Sequence, residues 1–154
     1  MGIFNSLFGK KQREEVITQI PESWKVLSGE NNGNPMLVRK NAGCDTIAGN
    51  RDYFTSCGIA FKLLSPNAEG LPDIKSEPAL NDIEDDIFDS FESDLNSIIP
   101  LVISTSGFRE FVAYTKDLAE FEKRLNALRK RYPDYELSTY NKPDSNWETY
   151  KSFD

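Results

Sequence analysis

The chain has 154 residues, 38% of them hydrophobic and 28% charged, with 18 Lys and Arg against 25 Asp and Glu for a formal net charge of −7, two Cys and no His. That length suits one domain, or one domain with a short appendage, and lets a core form without disulfides or metal. The absence of His removes any imidazole general base, Ser–His or Cys–His pair and His metal ligand, two Cys cannot build a four-thiolate zinc site, and the acidic excess opposes direct nucleic-acid binding.

Residues 1–20 read as an N-terminal helical appendage that ends before Pro21, and residues 21–154 as a single α+β domain. Ile3, Phe4, Leu7 and Phe8 fall at helical spacing ahead of Lys10 and Lys11, a pattern that fits packing on the domain or on a partner better than a membrane surface. Met1-Gly2-Ile3-Phe4-Asn5-Ser6 fits the short myristoylation pattern, which also arises often by chance. The lysines follow the apolar residues, so no secretory signal is expected, and no apolar run approaches the roughly 18 residues that span a bilayer. Cys44 and Cys57 read as free thiols of a reducing cytoplasm.

Trp24–Gly29 and Pro35–Lys40 read as the two strands of a hairpin around Asn31-Asn32-Gly33-Asn34. A polar connection leads to a longer strand over Tyr53–Leu64. Ser76-Glu77-Pro78 resembles a helix start with Ser at the cap. Leu80, Ile83, Ile87, Phe91, Leu95 and Ile98 then recur every three or four residues, which predicts a helix over 78–97, stopped by Pro100. Leu101–Gly107 reads as strand and turn, and Phe108–Lys116 as a strand with Phe111, Ala113 and Thr115 on one face and Val112 and Tyr114 on the other. Asp117 to Glu120 forms a capping-box pattern for a second helix carrying Leu118, Phe121, Leu125, Leu128 and Tyr132, with Arg129-Lys130-Arg131 at its end. Tyr135–Tyr140 is the last predicted strand, followed by a short docked helix around Trp147, Tyr150 and Phe153. From Tyr53 onward the order is strand, helix, strand, strand, helix, strand. The expected fold is therefore α+β: a ferredoxin-like split βαβ core, an antiparallel sheet with two helices on one face, preceded by a β-hairpin and the helical segment.

The chain resembles a bacterial family, domain-of-unknown-function family 695. The residues that carry the resemblance are Arg39-Lys40-Asn41-Ala42-Gly43, Gly70-Leu71-Pro72, Leu80 with Ile83-Glu84-Asp85, Gly107-Phe108-Arg109-Glu110 with Tyr114, and Asp144, Trp147, Tyr150 and Phe153. The resemblance runs from about Trp24 to Phe153 and implies no established activity. Some members of that family are associated with a domain resembling the ribonuclease E inhibitor called regulator of ribonuclease activity B, itself acidic and ferredoxin-like. This implies a regulatory or inhibitory binder, by analogy alone.

Residues 77–94 contain Glu77, Asp82, Glu84, Asp85, Asp86, Asp89, Glu92 and Asp94 and no Lys or Arg. On a helical wheel Asp82, Asp85, Asp86, Asp89 and Glu92 group opposite Leu80 and Ile87. This face is either a solvated surface or the binding surface for a basic partner. Carboxylates on one exposed helical face do not converge, so no metal is expected, nor is any cofactor: no GxGxxG or GKS/T motif is present. Glu84 falls near the apolar stripe and needs a cation; Arg109 or Arg39 would supply it in a structural ion pair. Trp24, Trp147, Tyr150 and Phe153 are expected in one aromatic cluster that clamps the C-terminus, the alternative being a peptide-binding surface.

The functional expectation is a non-enzymatic acidic binding module, a regulator or inhibitor of a basic protein partner such as a nuclease, with no direct nucleic-acid or membrane contact. Two alternatives stay open. One is a carboxylate- and Arg-dependent enzyme using Glu84, Arg109 and Tyr114, and the other is an immunity-type protein that neutralises a toxin.

Overall fold

In the computed structural model, which describes residues 14–154, the elements are β1 (Trp24–Asn31), β2 (Asn34–Asn41), a 3-10 turn (Ala42–Thr46), β3 (Thr55–Lys62), α1 (Ala79–Glu92), β4 (Ser97–Thr105), β5 (Phe108–Thr115), α2 (Leu118–Arg131), β6 (Ser138–Pro143) and α3 (Glu148–Lys151). The strands join in one sheet of order β1-β2-β4-β5-β3-β6, and every neighbouring pair is antiparallel. The β1–β2 turn turns on Asn32 and Gly33, both at positive φ (52° and 84°), the mirror-image geometry that a two-residue hairpin needs to match strand twist. Ser106 and Gly107 repeat it between β4 and β5 at 55° and 80°.

The two sheet faces carry separate cores. Phe111 and Ala113 point to the face covered by α1 and α2, where they meet Ile59, Phe61, Ile83, Ile87, Phe121 and Leu125. Val112 and Tyr114 point to the other face, where they meet Val38, Cys44, Tyr53, Trp147 and Tyr150. The period-two alternation of β5 therefore feeds both layers. Cys44 and Cys57 are free and buried, one in each core. Asp117 caps α2 by accepting from the Glu120 N–H at 3.2 Å, as its capping box predicts.

Three sequence expectations are corrected. First, α1 ends at Glu92 and Ile98 belongs to β4. Leu95 takes a left-handed φ of 63°, which breaks the helix, and Ile98 and Ile99 face opposite cores as successive residues of a strand do. Pro100 lies inside β4 at a register irregularity between Ile98 and Leu101, where its missing N–H is tolerated. Second, Ser76 does not cap α1; its hydroxyl donates to Asp73 at 3.0 Å, and Pro78 holds the cap position without a side-chain bond. Third, residues 14–20 are not helical but form a strap over the second core, with Ile17 buried in it. The proposed spacing of Ile3, Phe4, Leu7 and Phe8 and the myristoylation pattern lie outside the described residues.

The strap is fastened by two buried asparagines. Asn41 donates to the Pro21 carbonyl at 2.8 Å and accepts from the Ser23 N–H at 2.8 Å, and Asn50 donates to the Glu15 carbonyl at 2.6 Å. Ala42 adds a backbone bond to Ser23. Gly43 allows this approach: a Cβ there would stand 2.7 Å from the Pro21 carbonyl oxygen. Gly43→Ala is therefore expected to lower stability by about 1–3 kcal/mol through overpacking against backbone. Chemical denaturation measures it, with Ala42→Gly as a control for a change of similar size that adds no atom at this contact.

Candidate functional site

An open groove of about 710 Å³ lies between the strap and α1. Thr18, Gln19, Ile20 and Glu22 form one wall, and Asp85, Phe88, Asp89 and Glu92 from α1 form the other. Trp24, at the start of β1, closes the floor edge-on against Phe88, with ring centroids 6.0 Å apart at 87°. Trp24 remains 40% exposed. Among the described residues, four carboxylates line the groove, from Glu22, Asp85, Asp89 and Glu92, against the single cation of Arg39.

The acidic residues of the 77–94 segment meet different fates. Glu77 is buried, accepting from the Ser65 N–H at 2.8 Å and from the Tyr135 hydroxyl. Asp86 faces α2 in a two-point pair with Arg131, each bond 2.8 Å. Asp94 is paired with Arg124 at 2.6 Å, and that guanidinium holds its carboxyl well below the usual range. Asp82 is exposed near Tyr132, on the α2 side and away from the groove. Asp85 and Asp89 are exposed in the groove with no partner among the described residues. Of the five residues predicted to bind a partner, the structure thus brings Asp85, Asp89 and Glu92 together and sets Asp82 and Asp86 apart.

Glu84 is the hub of an ion-pair triad. It accepts from both terminal nitrogens of Arg39, one of them at 3.3 Å, and lies 3.5 Å from Arg109. Arg109 also donates from Nε to Ser104 at 3.1 Å, and burial holds its pKa below the ordinary value. Tyr114 is on the opposite face of the sheet, donating to Asp144 at 2.8 Å, so Glu84, Arg109 and Tyr114 do not converge.

The aromatic cluster expected around the C-terminus forms without Trp24. Trp147 stacks on Tyr114 at 4.1 Å and 7°, donates to the Tyr53 carbonyl at 2.9 Å and meets Tyr150 edge-on, while Trp24 lies across the sheet beside Phe88. Register explains the separation. Trp24 faces Asn41 and Val26 faces Arg39, which places Trp24 on the α1 side. Lys130 is exposed at the end of α2, while Arg129 donates to the Leu137 carbonyl. Sequence reasoning missed the strap wall, Glu22 and the Trp24–Phe88 pair. The signal available was Trp24 at the head of an amphipathic strand, but nothing local places residues 18–22 opposite α1. Among the described residues, no group of three or more His, Cys, Asp or Glu side chains is placed to hold a metal ion, and no helix is long and apolar enough to cross a membrane.

Glu92 is the unusual acid of the groove. Its Oε2 accepts from the Ile99 N–H at 2.7 Å, and burial, with Glu22 nearby, raises its pKa to about 7. A raised acid stabilises the folded state fully below its unfolded pKa and loses that contribution as pH rises through about 7. Glu92→Gln keeps an acceptor for Ile99 without the charge. Its stability relative to the parent is expected to rise between pH 5 and pH 8, by up to about 3 kcal/mol. Thermal melts across that pH range check it; a constant difference would show that Glu92 titrates normally.

A family model described as "Family of unknown function (DUF695)" matches residues 22–153. No curated protein and no solved structure matches the chain. The matched span covers the whole sheet, α1, α2 and α3, the Glu84 triad and the α1 wall of the groove, but not Thr18, Gln19 and Ile20 of the strap, so the chain belongs to domain-of-unknown-function family 695.

Proposed function

We propose that this protein is a non-enzymatic binding module that holds a basic segment of a partner protein in the groove between the strap and α1. The observation that carries the reading is the coincidence of Asp85 and Asp89, unpaired among the described residues, with an exposed Trp24 ring set against the half-buried Phe88 in one open cavity. Lys and Arg side chains present an apolar stem and a charged head, which suits an aromatic floor rimmed by carboxylates. Burying aromatic area against a partner supplies affinity, and the acidic rim supplies steering and selectivity.

The role that follows is regulation or inhibition of a basic protein, of which nucleases and toxins are examples, by covering a surface that otherwise meets phosphates. The two buried, unpaired thiols accord with work in a reducing compartment such as the cytoplasm. For the frame, we assign β3 to β6 with α1 and α2 to the ferredoxin-like arrangement. The order β6-β3-β5-β4, antiparallel throughout, and the shared core under both helices support it, with the β1–β2 hairpin extending the sheet beside β4.

The test uses the groove's own reporter. Trp24 is exposed and Trp147 is buried, so a change in tryptophan emission on titration with a lysine-rich peptide reads the groove. Binding is expected to weaken as salt is raised, and Asp85→Asn with Asp89→Asn to weaken it about tenfold and flatten the salt dependence. Equal affinity of the double variant and the parent would overturn the reading.

A further inference from the structure

A second cavity, of about 270 Å³, adjoins the groove. Val26, Leu37, Val102 and Ile74 give it apolar walls, and Arg39 and Arg109 line it with no carboxylate among its described lining residues. Arg39 lines both cavities. Trp24 and Val26 share one face of β1, about 7 Å apart at the rise of a strand, and each opens into one of the two. The cavities therefore follow one another along a single track whose charge changes sign, from four carboxylates with one guanidinium to two guanidiniums.

Glu84 is one negative charge between two positive ones, and its contact with Arg109, at 3.5 Å, is the longer of the two. The Arg109 side chain is only 12% exposed. The buried Glu77 also acts on Arg109, but it is held by the Ser65 N–H and the Tyr135 hydroxyl, and neither it nor Glu84 is among the cavity's described lining residues. The wall therefore presents guanidinium N–H groups beside apolar side chains, and planar guanidiniums are well shaped to receive a carboxylate at two points. Building on the groove as a site for a basic segment, we infer that this segment is a protein C-terminus: its basic residues lie in the acidic groove, its last residue is apolar and fills the small cavity, and its terminal carboxylate meets Arg39 and Arg109. At about 3.3 Å per residue, the basic side chains stand two to four positions before the end.

The probe is a set of labelled heptapeptides with lysine or arginine two to four positions before a terminal leucine, isoleucine, valine or phenylalanine, each made as the free acid and as the amide. Fluorescence anisotropy is expected to show the acid of at least one pair binding about tenfold more tightly than its amide, with Arg39→Gln or Arg109→Gln removing that difference. Acid and amide of equal affinity throughout would overturn the C-terminal assignment and leave the groove reading standing. So would a difference that survives both substitutions. No binding of any peptide, acid or amide, would overturn both.

Discussion

The last turn of β2 holds the molecule together because a strand must send successive side chains to opposite faces. Arg39 goes to the α1 face and meets Glu84; Lys40 goes to the other face and is buried. A buried ammonium needs compensation. Lys40 finds it in the Phe153 carbonyl and the Tyr150 ring, 4.4 Å away, while the exposed Asp154 carboxylate is 3.9 Å distant. The same ring's hydroxyl, with one proton to donate, lies within hydrogen-bond reach of two acceptors, the Asn41 carbonyl at 2.8 Å and Asp45 at 2.7 Å. One short run, Arg39-Lys40-Asn41-Ala42-Gly43, therefore ties α1, the strap and the C-terminal segment to the β2 end of the sheet.

The far end of that linkage is equally constrained. Asp144 accepts from the Glu148 and Thr149 N–H groups at 2.8 and 3.1 Å and from Tyr114, which starts α3 and stacks Trp147 over the sheet. Asp144, Tyr114 and Trp147 are among the residues that carry the family resemblance, and each has a structural duty on the second-core side. None of these three lines the groove, whereas Arg39 and Asp85 of the same set do. The groove instead takes its shape from the strap, whose position Asn41 and Gly43 determine, and its charge from α1. The groove is tied to the second core through β2 and the strap, with Ile20 touching both.

Much of the fold was legible where the physical signal is local. The stripe from Leu118 to Tyr132 and the Asp117 cap defined α2, the Asn32-Gly33 pair defined a hairpin, and alternation in β5 assigned Phe111 and Val112 to different faces. Local signals failed where two periods fit one string. Leu95 and Ile98 continued the helical spacing of α1, and only the left-handed turn at Leu95 moved Ile98 into a strand. Trp24 was grouped with Trp147 because both are large aromatic residues; strand register placed a sheet between them.

Sequence by itself determined composition, charge, the α+β order and the presence of an acidic helix, since each depends on residue identity or on neighbours within one turn or hairpin. It also determined that Glu84 needed a cation, because a carboxylate beside an apolar stripe is costly alone. Tertiary structure alone decided which acids stay open. Asp86 is neutralised by Arg131 from 45 positions away and Glu84 by Arg39 from 45 positions away in the other direction, whereas Asp85 and Asp89, on the same helix, meet only the groove. A charge's effect depends on what lies within a few ångströms of it, and that distance is set by how helices and strands pack, not by their spacing along the chain.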